Sequence, residues 1–327
     1  MTPGTLALPR FLARLPADRL FVVVTRAAAL VAIVLVLSML SAHFFTFQNL
    51  MNVLRQASLQ FLLSAGLTLV VLTGGIDLAV GAVLGLSACL GASLIVSGQL
   101  TAGIAAALGA GLACGLANGA LVTYVKLPAF IATYGMLWIA HGAGYVFMKG
   151  EVIHGLDPAF RWLGTGAVGP IPAPVLVAAA VLGLLYVLLT HTRLGRAIYA
   201  IGGNPVAARL SGMPVRRHLI TVYALSGLLA AFAGLVVIAR VNAADSGTGE
   251  DLLLPAIAAV CLGGTSLFGG HGGIVGTAIG SIILALIING MNLLGVSTFW
   301  QAGVMGAIII VSVFADQVAG GRAGRDT

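Results

Sequence analysis

Apolar blocks recur along the chain, each close to the roughly 20 residues that carry a helix across a bilayer, and short polar stretches separate them. Hydropathy places them at about 27–45, 57–74, 79–97, 101–125, 128–148, 171–190, 220–240, 252–269, 273–295 and 299–318. They are long and unbroken rather than short and alternating, so they predict spanning helices and not the strands of a barrel. The junctions Gly74–Asp77 and Gly263–Gly273 are the weak points of this count, because a broken helix could stand at either. The pattern predicts an all-α polytopic membrane protein with about ten transmembrane helices. A single membrane domain over 27–318 would lie between a basic tail, 1–26, and a short tail, 319–327.

The longest polar stretch, Thr190–Ile220, is the loop (191–219) between two spans. It carries Arg193, Arg196, Arg209, Arg216 and Arg217 and no acid, which places it on the cytoplasmic side. The N-terminal tail agrees, with Arg10, Arg14, Arg19 and Arg26 against Asp18 alone. A cleaved signal peptide would have an apolar core of roughly 7–15 residues, shorter than the first block. Ten spans return the C-terminus, with Arg322 and Arg325, to the same side, so both termini are expected in the cytoplasm. Outside fall most of the acids: Glu151, Asp157, Asp245, Glu250 and Asp251. Two outer loops, Gly150–Gly169 and Val241–Asp251, are long and polar enough to receive an extracytoplasmic partner, or are simply solvated connections.

Inside the basic loop, Asn204–Gly212 predicts a short helix. Asn204 suits the N-cap and Pro205 the first helical position, and Gly212 with Pro214 ends the run. Such a helix, held outside the membrane by two spans, is a handle for another protein to push. An internal repeat also emerges: Gly74-Gly75-Ile-Asp-Leu78-Ala-Val-Gly81 matches Gly263-Gly264-Thr-Ser-Leu267-Phe-Gly-Gly270 at four positions. Both copies follow even-numbered spans, which predicts two parallel pseudo-repeats, a transporter feature. The stripes Gly103, Gly109, Gly111, Gly115, Gly119 and Gly272, Gly273, Gly276, Gly280 offer small faces for close helix approach.

Composition sharpens this picture. Of 327 residues, 60% are hydrophobic and only 8% charged, against roughly 25% charged in soluble domains. The net charge of +7 sits in the tails and the central loop, as membrane orientation requires, so no nucleic-acid partner is expected. Cys89, Cys114 and Cys261 stand singly in apolar blocks without metal-ligand spacing and read as small buried hydrophobes.

Few residues carry candidate chemistry. Asp77 is the only acid between Asp18 and Glu151. It could cap a helix starting at Leu78, line a polar pathway, or couple protons. Ser266, its counterpart in the repeat, is also a good N-cap. Asn118, Asn289 and Asn292 lie inside apolar blocks, where they either bond across helices or line a polar route. There is no phosphate-binding G-x-x-x-x-G-K-[ST], no H-E-x-x-H and no G-x-S-x-G. The chain is expected to be no enzyme and to hold no cofactor or metal. If ATP drives it, another subunit hydrolyses the ATP.

Three motifs together resemble one family, the membrane subunits of bacterial sugar-type ABC importers (ribose, xylose, arabinose and galactose permeases). They are TGGIDLAVGAVLGL at Thr73–Leu86, GRAIYAIGGNPVAARLSGMPV at Gly195–Val215 with YALSGLLAAFAG behind it, and LPAIAAVCLGGTSLFGGHGGIVGTAIG at Leu254–Gly280. The resemblance implies an inner-membrane permease that pairs with a second copy or a sister chain. Two ATPase subunits binding ATP and Mg would sit below it, and a soluble sugar-binding protein would deliver substrate from outside. Asn204–Gly212 would then be the coupling helix, with Gly202, Gly203, Asn204, Ala207, Ala208, Arg209 and Gly212 as the ATPase-coupling residues. Asp77, Asn118, Asn289 and Asn292 are the pathway candidates. Val206 stands where the family often has an acid, and Ala79 replaces the usual serine after G-G-I-D-L. Competing readings are the same machine carrying nucleosides or other small polar solutes, and a proton-coupled secondary transporter working through Asp77.

Overall fold

A computed structural model describes residues 17–323, so Arg10, Arg14 and Arg325 of the predicted tails lie outside the described residues. The helices are α1 (Ala17–Leu40), α2 (Phe47–Leu72), α3 (Val80–Val96), α4 (Leu100–Thr123), α5 (Ala129–Met148), α6 (Pro158–Thr165), α7 (Ala173–His191), α8 (Arg193–Gly203), α9 (Pro205–Leu210), α10 (Val215–Val241), α11 (Leu253–Leu262), α12 (Ile274–Leu293) and α13 (Thr298–Ala323). Four two-residue strands accompany them: β1 (Ile153–His154), β2 (Ala167–Val168), β3 (Ile171–Pro172) and β4 (Ala243–Ala244). Among the described residues, five helices, α2, α4, α7, α10 and α12, are long and apolar enough to cross a membrane by length and composition. The protein is a polytopic helical bundle.

Two helices form its centre. In α2 and α10, 78% and 72% of the most apolar window is buried, as expected for helices that are apolar all round. α10 packs on α2, α3 and α4. Its seam with α4 is built on glycines. Gly111 lies against Gly227, Gly115 against the carbonyl of Tyr223, and Gly119 against the Cα of Ile220. Lipid tails are as apolar as leucine, so close backbone approach and van der Waals contact replace the water-driven force. Gly109, on the same predicted stripe, faces open space.

Several predicted boundaries move. Within the described residues α1 is already helical at Ala17, inside the predicted basic tail, and α2 begins at Phe47 rather than near 57. The predicted span at 252–269 is only partly helical: α11 has 10 residues, about 15 Å of rise, half of a roughly 30 Å core. Beyond it the chain turns irregularly to α12. Ahead of it, residues 245–252 follow α3 without forming an α-helix. The Cys89 thiol donates to the Asp245 carbonyl at 3.1 Å, Gly85 abuts Thr248, and Gly81 abuts Gly249. Glycine at 81 and 85 clears the room this backbone occupies. No α-helix starts at Leu78; α3 opens at Val80, after the non-helical segment 73–79.

The two glycine motifs both fall on interhelical junctions, and the junctions touch. Gly270 N–H donates to the Leu72 carbonyl at 3.0 Å, and a Cβ on Gly269 would stand 2.7 Å from Gly74 N. The two loops expected on the outer side also meet. β1 pairs antiparallel with β4, Ile153 opposite Ala244, and Asn242 Oδ1 accepts from Leu156 N–H at 3.0 Å. α6, capped by Asp157, packs Gly164 against the backbone of Arg240 at the end of α10. The two stretches form one folded cap.

Candidate functional site

The basic connection between α7 and α10 folds as the local signals dictate. Thr192 Oγ1 accepts from Gly195 N–H at the head of α8. Asn204 Oδ1 accepts from both Val206 and Ala207 N–H, at 3.0 Å each, and so caps α9. Gly212 ends the turn at φ +83°, the left-handed region that side chains other than glycine rarely adopt. Ala208 is buried in a small cluster with Ile201 and Val215. The other side of α9 is bare, with Val206 64% and Leu210 84% exposed beside exposed Arg209 and Ala207. α9 therefore presents an apolar i, i+4 pair flanked by a cation. At position 206 a valine takes part in that apolar surface.

The predicted coupling residues divide by direction. Asn204, Ala207, Arg209 and Gly212 are exposed on the outer side of the loop. Gly203 has open space around its Cβ position. Gly202 points inward: a Cβ there would collide with the Leu72 carbonyl and lie 2.5 Å from Gly270 N. Tyr199 Oη donates to the Gly272 carbonyl at 3.0 Å from the same helix. The end of α8 is thus set backbone to backbone against the C-terminus of α2 and the loop before α12, and α9 follows two residues later. No local signal points to these partners of Gly202, since both contacts are remote in the chain.

The four pathway candidates do not converge. Asp77 is 2% exposed. Its Oδ1 accepts from Ala79 N–H at 3.1 Å and its Oδ2 from Ser226 Oγ on α10 at 2.8 Å. It closes a tight turn ahead of α3 and pins that turn to the central helix. Ser266, by contrast, accepts from Phe268 N–H at 3.3 Å within a turn, and no helix starts there. Asn289 on α12 exchanges two hydrogen bonds with Asn49 on α2, at 3.1 and 2.8 Å. Asn292 Oδ1 accepts from Gln301 Nε2 on α13 at 2.8 Å. Asn118, 1% exposed on α4, has a buried Oδ1 with no hydrogen-bond partner. Sequence reading missed a second polar seam, where Thr68 Oγ1 on α2 meets Thr277 Oγ1 on α12 at 2.8 Å and Ser64 Oγ donates to the Ala256 carbonyl at 3.3 Å. Serines and threonines at four-residue spacing on α2 are the signal that could have found it.

Comparison with known proteins covers nearly the whole of this architecture. Residues 49–313 match the family described as branched-chain amino acid transport system / permease component. The ribose import permease protein RbsC of Escherichia coli (strain K12) is 43% identical over 293 residues, 88% of this chain and 91% of the relative. The protein of the same name from Bacillus subtilis (strain 168) is 44% identical over 288 residues, 87% of this chain and 89% of the relative. The D-allose transport system permease protein AlsC of Escherichia coli (strain K12) is 38% identical over 278 residues, 84% of this chain and 85% of the relative. No solved structure matches the chain.

Proposed function

This chain belongs to the branched-chain amino acid transport system / permease component family, and on that premise we propose that it is the membrane subunit of an ABC importer carrying a monosaccharide. The observation that carries the reading is the near-full-length identity to permeases named for ribose and allose import. The family description names a different cargo, but these relatives match the chain at 38–44% identity almost from end to end. The cargo proposed is therefore a ribose-like or related sugar. It moves through a transport subunit that does no chemistry on it.

In this reading the bundle crosses the inner membrane ten times as one domain over 27–318, with both termini in the cytoplasm. α11 and the irregular segment before it together make one crossing, and the two glycine junctions are corresponding points of two parallel pseudo-repeats. α9 is the coupling helix. Its exposed Val206, Leu210 and Arg209 enter a groove of a separate ATPase subunit that binds ATP and Mg; this chain itself holds no cofactor. The inward contact of Gly202 supports this role, because α9 is then backed by the ends of two membrane helices and cannot swing freely. A soluble sugar-binding protein docks on the outer cap, and a second copy or sister chain completes the permease. ATP binding draws the ATPase subunits together, the coupling helices follow, and the bundle opens outward; hydrolysis resets it. The binding protein and ATP act through differential contacts with the two states.

A proton-coupled carrier working through Asp77 has less support. Both carboxylate oxygens are occupied by hydrogen bonds within the fold, and the group is buried. The test is uptake into proteoliposomes containing this chain, its ATPase and its binding protein, with labelled D-ribose, D-allose, nucleosides or branched-chain amino acids. Uptake of a monosaccharide that needs both internal ATP and the binding protein is the expected result. Uptake driven by an ion gradient alone, and lost in Asp77→Asn, would overturn the assignment.

A further inference from the structure

α5 carries a feature that none of the roles above uses. Its buried face, Ala132, Met136, Ala140, Gly144 and Met148, recurs every four residues and packs on α3 and α4. The opposite face is uncovered and aromatic. Phe130 stacks with Tyr134 at 6.0 Å between centroids, Tyr134 meets Trp138 edge-on at 6.3 Å, Trp138 approaches the His141 ring at 6.0 Å, and His141 stacks on Tyr145 at 4.8 Å. From Phe130 to Tyr145 this continuous column of rings rises about 22 Å, most of a roughly 30 Å hydrocarbon core. Its large rings are open, with Trp138 59%, Phe130 55%, Tyr145 48% and Tyr134 47% exposed.

The C-terminal end of the column is polar. His141 Nε2 stands 2.7 Å from Glu250 Oε1, and the Tyr145 hydroxyl donates to the same oxygen at 3.4 Å. Glu250 is 43% exposed. It follows Gly249, which lies against the carbonyl of Gly81 at the start of α3. Trp138, His141, Gly81, Gly249 and Glu250 line one cleft of about 210 Å³. Glu250 is an exposed carboxylate and the His141 imidazole beside it is 15% exposed; a carboxylate that open cannot face lipid tails without a large cost, so this face borders water or a polar solute. The cleft is smaller than the roughly 300 Å³ at which enclosed ligand pockets begin, so this chain supplies one wall of a path rather than a closed site.

We infer that the α5 column, with Glu250, is the sugar-contacting wall of the translocation path. This rests on the importer reading and gives it a substrate surface. The chemistry fits a neutral monosaccharide. The C–H face of a sugar ring is apolar and slightly positive, and it stacks on the negative face of an aromatic ring. Its hydroxyls donate to a carboxylate and exchange with imidazole and phenol. Rings set one helical turn apart offer equivalent steps, so a sugar leaves one contact for the next without a deep well. The His141–Glu250 pair is the one strong polar station, and in the empty protein its two members satisfy each other. A neutral polyol suits this surface; a zwitterionic amino acid would bring an ammonium and a carboxylate to a wall with no free cation in the column.

The test uses the complete transporter, with ATPase and binding protein, in proteoliposomes. Trp138→Ala and Glu250→Gln should each lower ATP-dependent D-ribose uptake by about tenfold, the equivalent of losing one good contact. In Trp138→Ala, ATP hydrolysis stimulated by the binding protein should stay within about twofold of wild type, and Trp138→Phe should restore most uptake. A second measurement stands apart from transport. In a variant with Cys89, Cys114 and Cys261 changed to Ala, Trp138→Cys should react with a charged, water-soluble thiol reagent, and high D-ribose should slow that reaction. Undiminished uptake in both variants, or a Trp138→Cys variant that reacts only with a lipid-soluble reagent, would overturn the inference. If wild type shows no ATP-dependent uptake, the importer reading fails instead, and the labelling result still decides whether this wall faces water.

Discussion

The loop at 191–219 and the outer cap are both polar connections between membrane helices, but they are held by different bonds. The inner loop is ordered by near neighbours: Thr192 with Gly195, and Asn204 with Val206 and Ala207. The outer cap is ordered by partners far apart in the chain: Ile153 with Ala244, and Leu156 with Asn242. Local caps form a stiff, autonomous element, which suits the coupling role proposed for α9. Remote pairs make the cap's shape depend on the positions of α5, α7 and α10, which suits a surface that should report the state of the bundle. Two residues of α8 break the rule: Gly202 touches remote backbone and Tyr199 donates to the Gly272 carbonyl, and through them the stiff loop is joined to the bundle.

The first of these exceptions gives the largest expected effect. Gly202→Val drives a side chain into the Leu72 carbonyl and the Gly270 amide and should cost about 3 kcal/mol or more, read as a lower unfolding temperature of the purified permease and loss of ATP-driven uptake. If stability is unchanged, the loop is not joined to the bundle there. Asn242→Ala leaves the Leu156 N–H unpaired, which should cost about 2 kcal/mol locally. It should raise the concentration of binding protein needed for half-maximal ATP hydrolysis while leaving basal hydrolysis alone. Arg209→Glu reverses the exposed charge of α9 and should lower uptake by about tenfold without changing unfolding temperature, showing that the inner surface acts through a partner. Gly212→Trp should have the same direction, since the left-handed backbone at that position strains any side chain. The smallest effect is expected for Asn204→Ala, about 1 kcal/mol of helix-cap stability, recovered in Asn204→Asp. Circular dichroism on the reconstituted chain and an uptake assay would check it.

The same contrast explains what was legible in the sequence. The cap at Asn204, the stop at Gly212 and the stripe at Gly111, Gly115 and Gly119 are local signals, and the structure contains each of them. Asp77 was singled out for its rarity, but Ser226, the group that occupies its second oxygen, lies 149 residues away. β1 and β4 are two residues long and carry no alternation to read. The span predicted at 252–269 is longer than α11 because Leu267, Phe268 and the glycines after the helix keep the window apolar although their backbone leaves the helix. The ring column of α5 was present as spacing, Phe130, Tyr134, Trp138, His141 and Tyr145, yet a hydropathy window averages it into one more apolar block. Only burial separates its bare face from its packed one.

The shortness of α11 has a consequence for how the chain is made. Ten apolar residues do not reach across a bilayer, and the segment before them is held by short turn bonds rather than by a helix ladder. Neither piece can leave the insertion machinery as a free-standing span. They need the groove along α3 already in place, with glycine at 81 and 85 holding it open. Synthesis of the last third of the protein is therefore a docking event onto the first third. A nascent chain stopped just after α10 should remain an open vessel, exposed to membrane proteases until α11 arrives to close it.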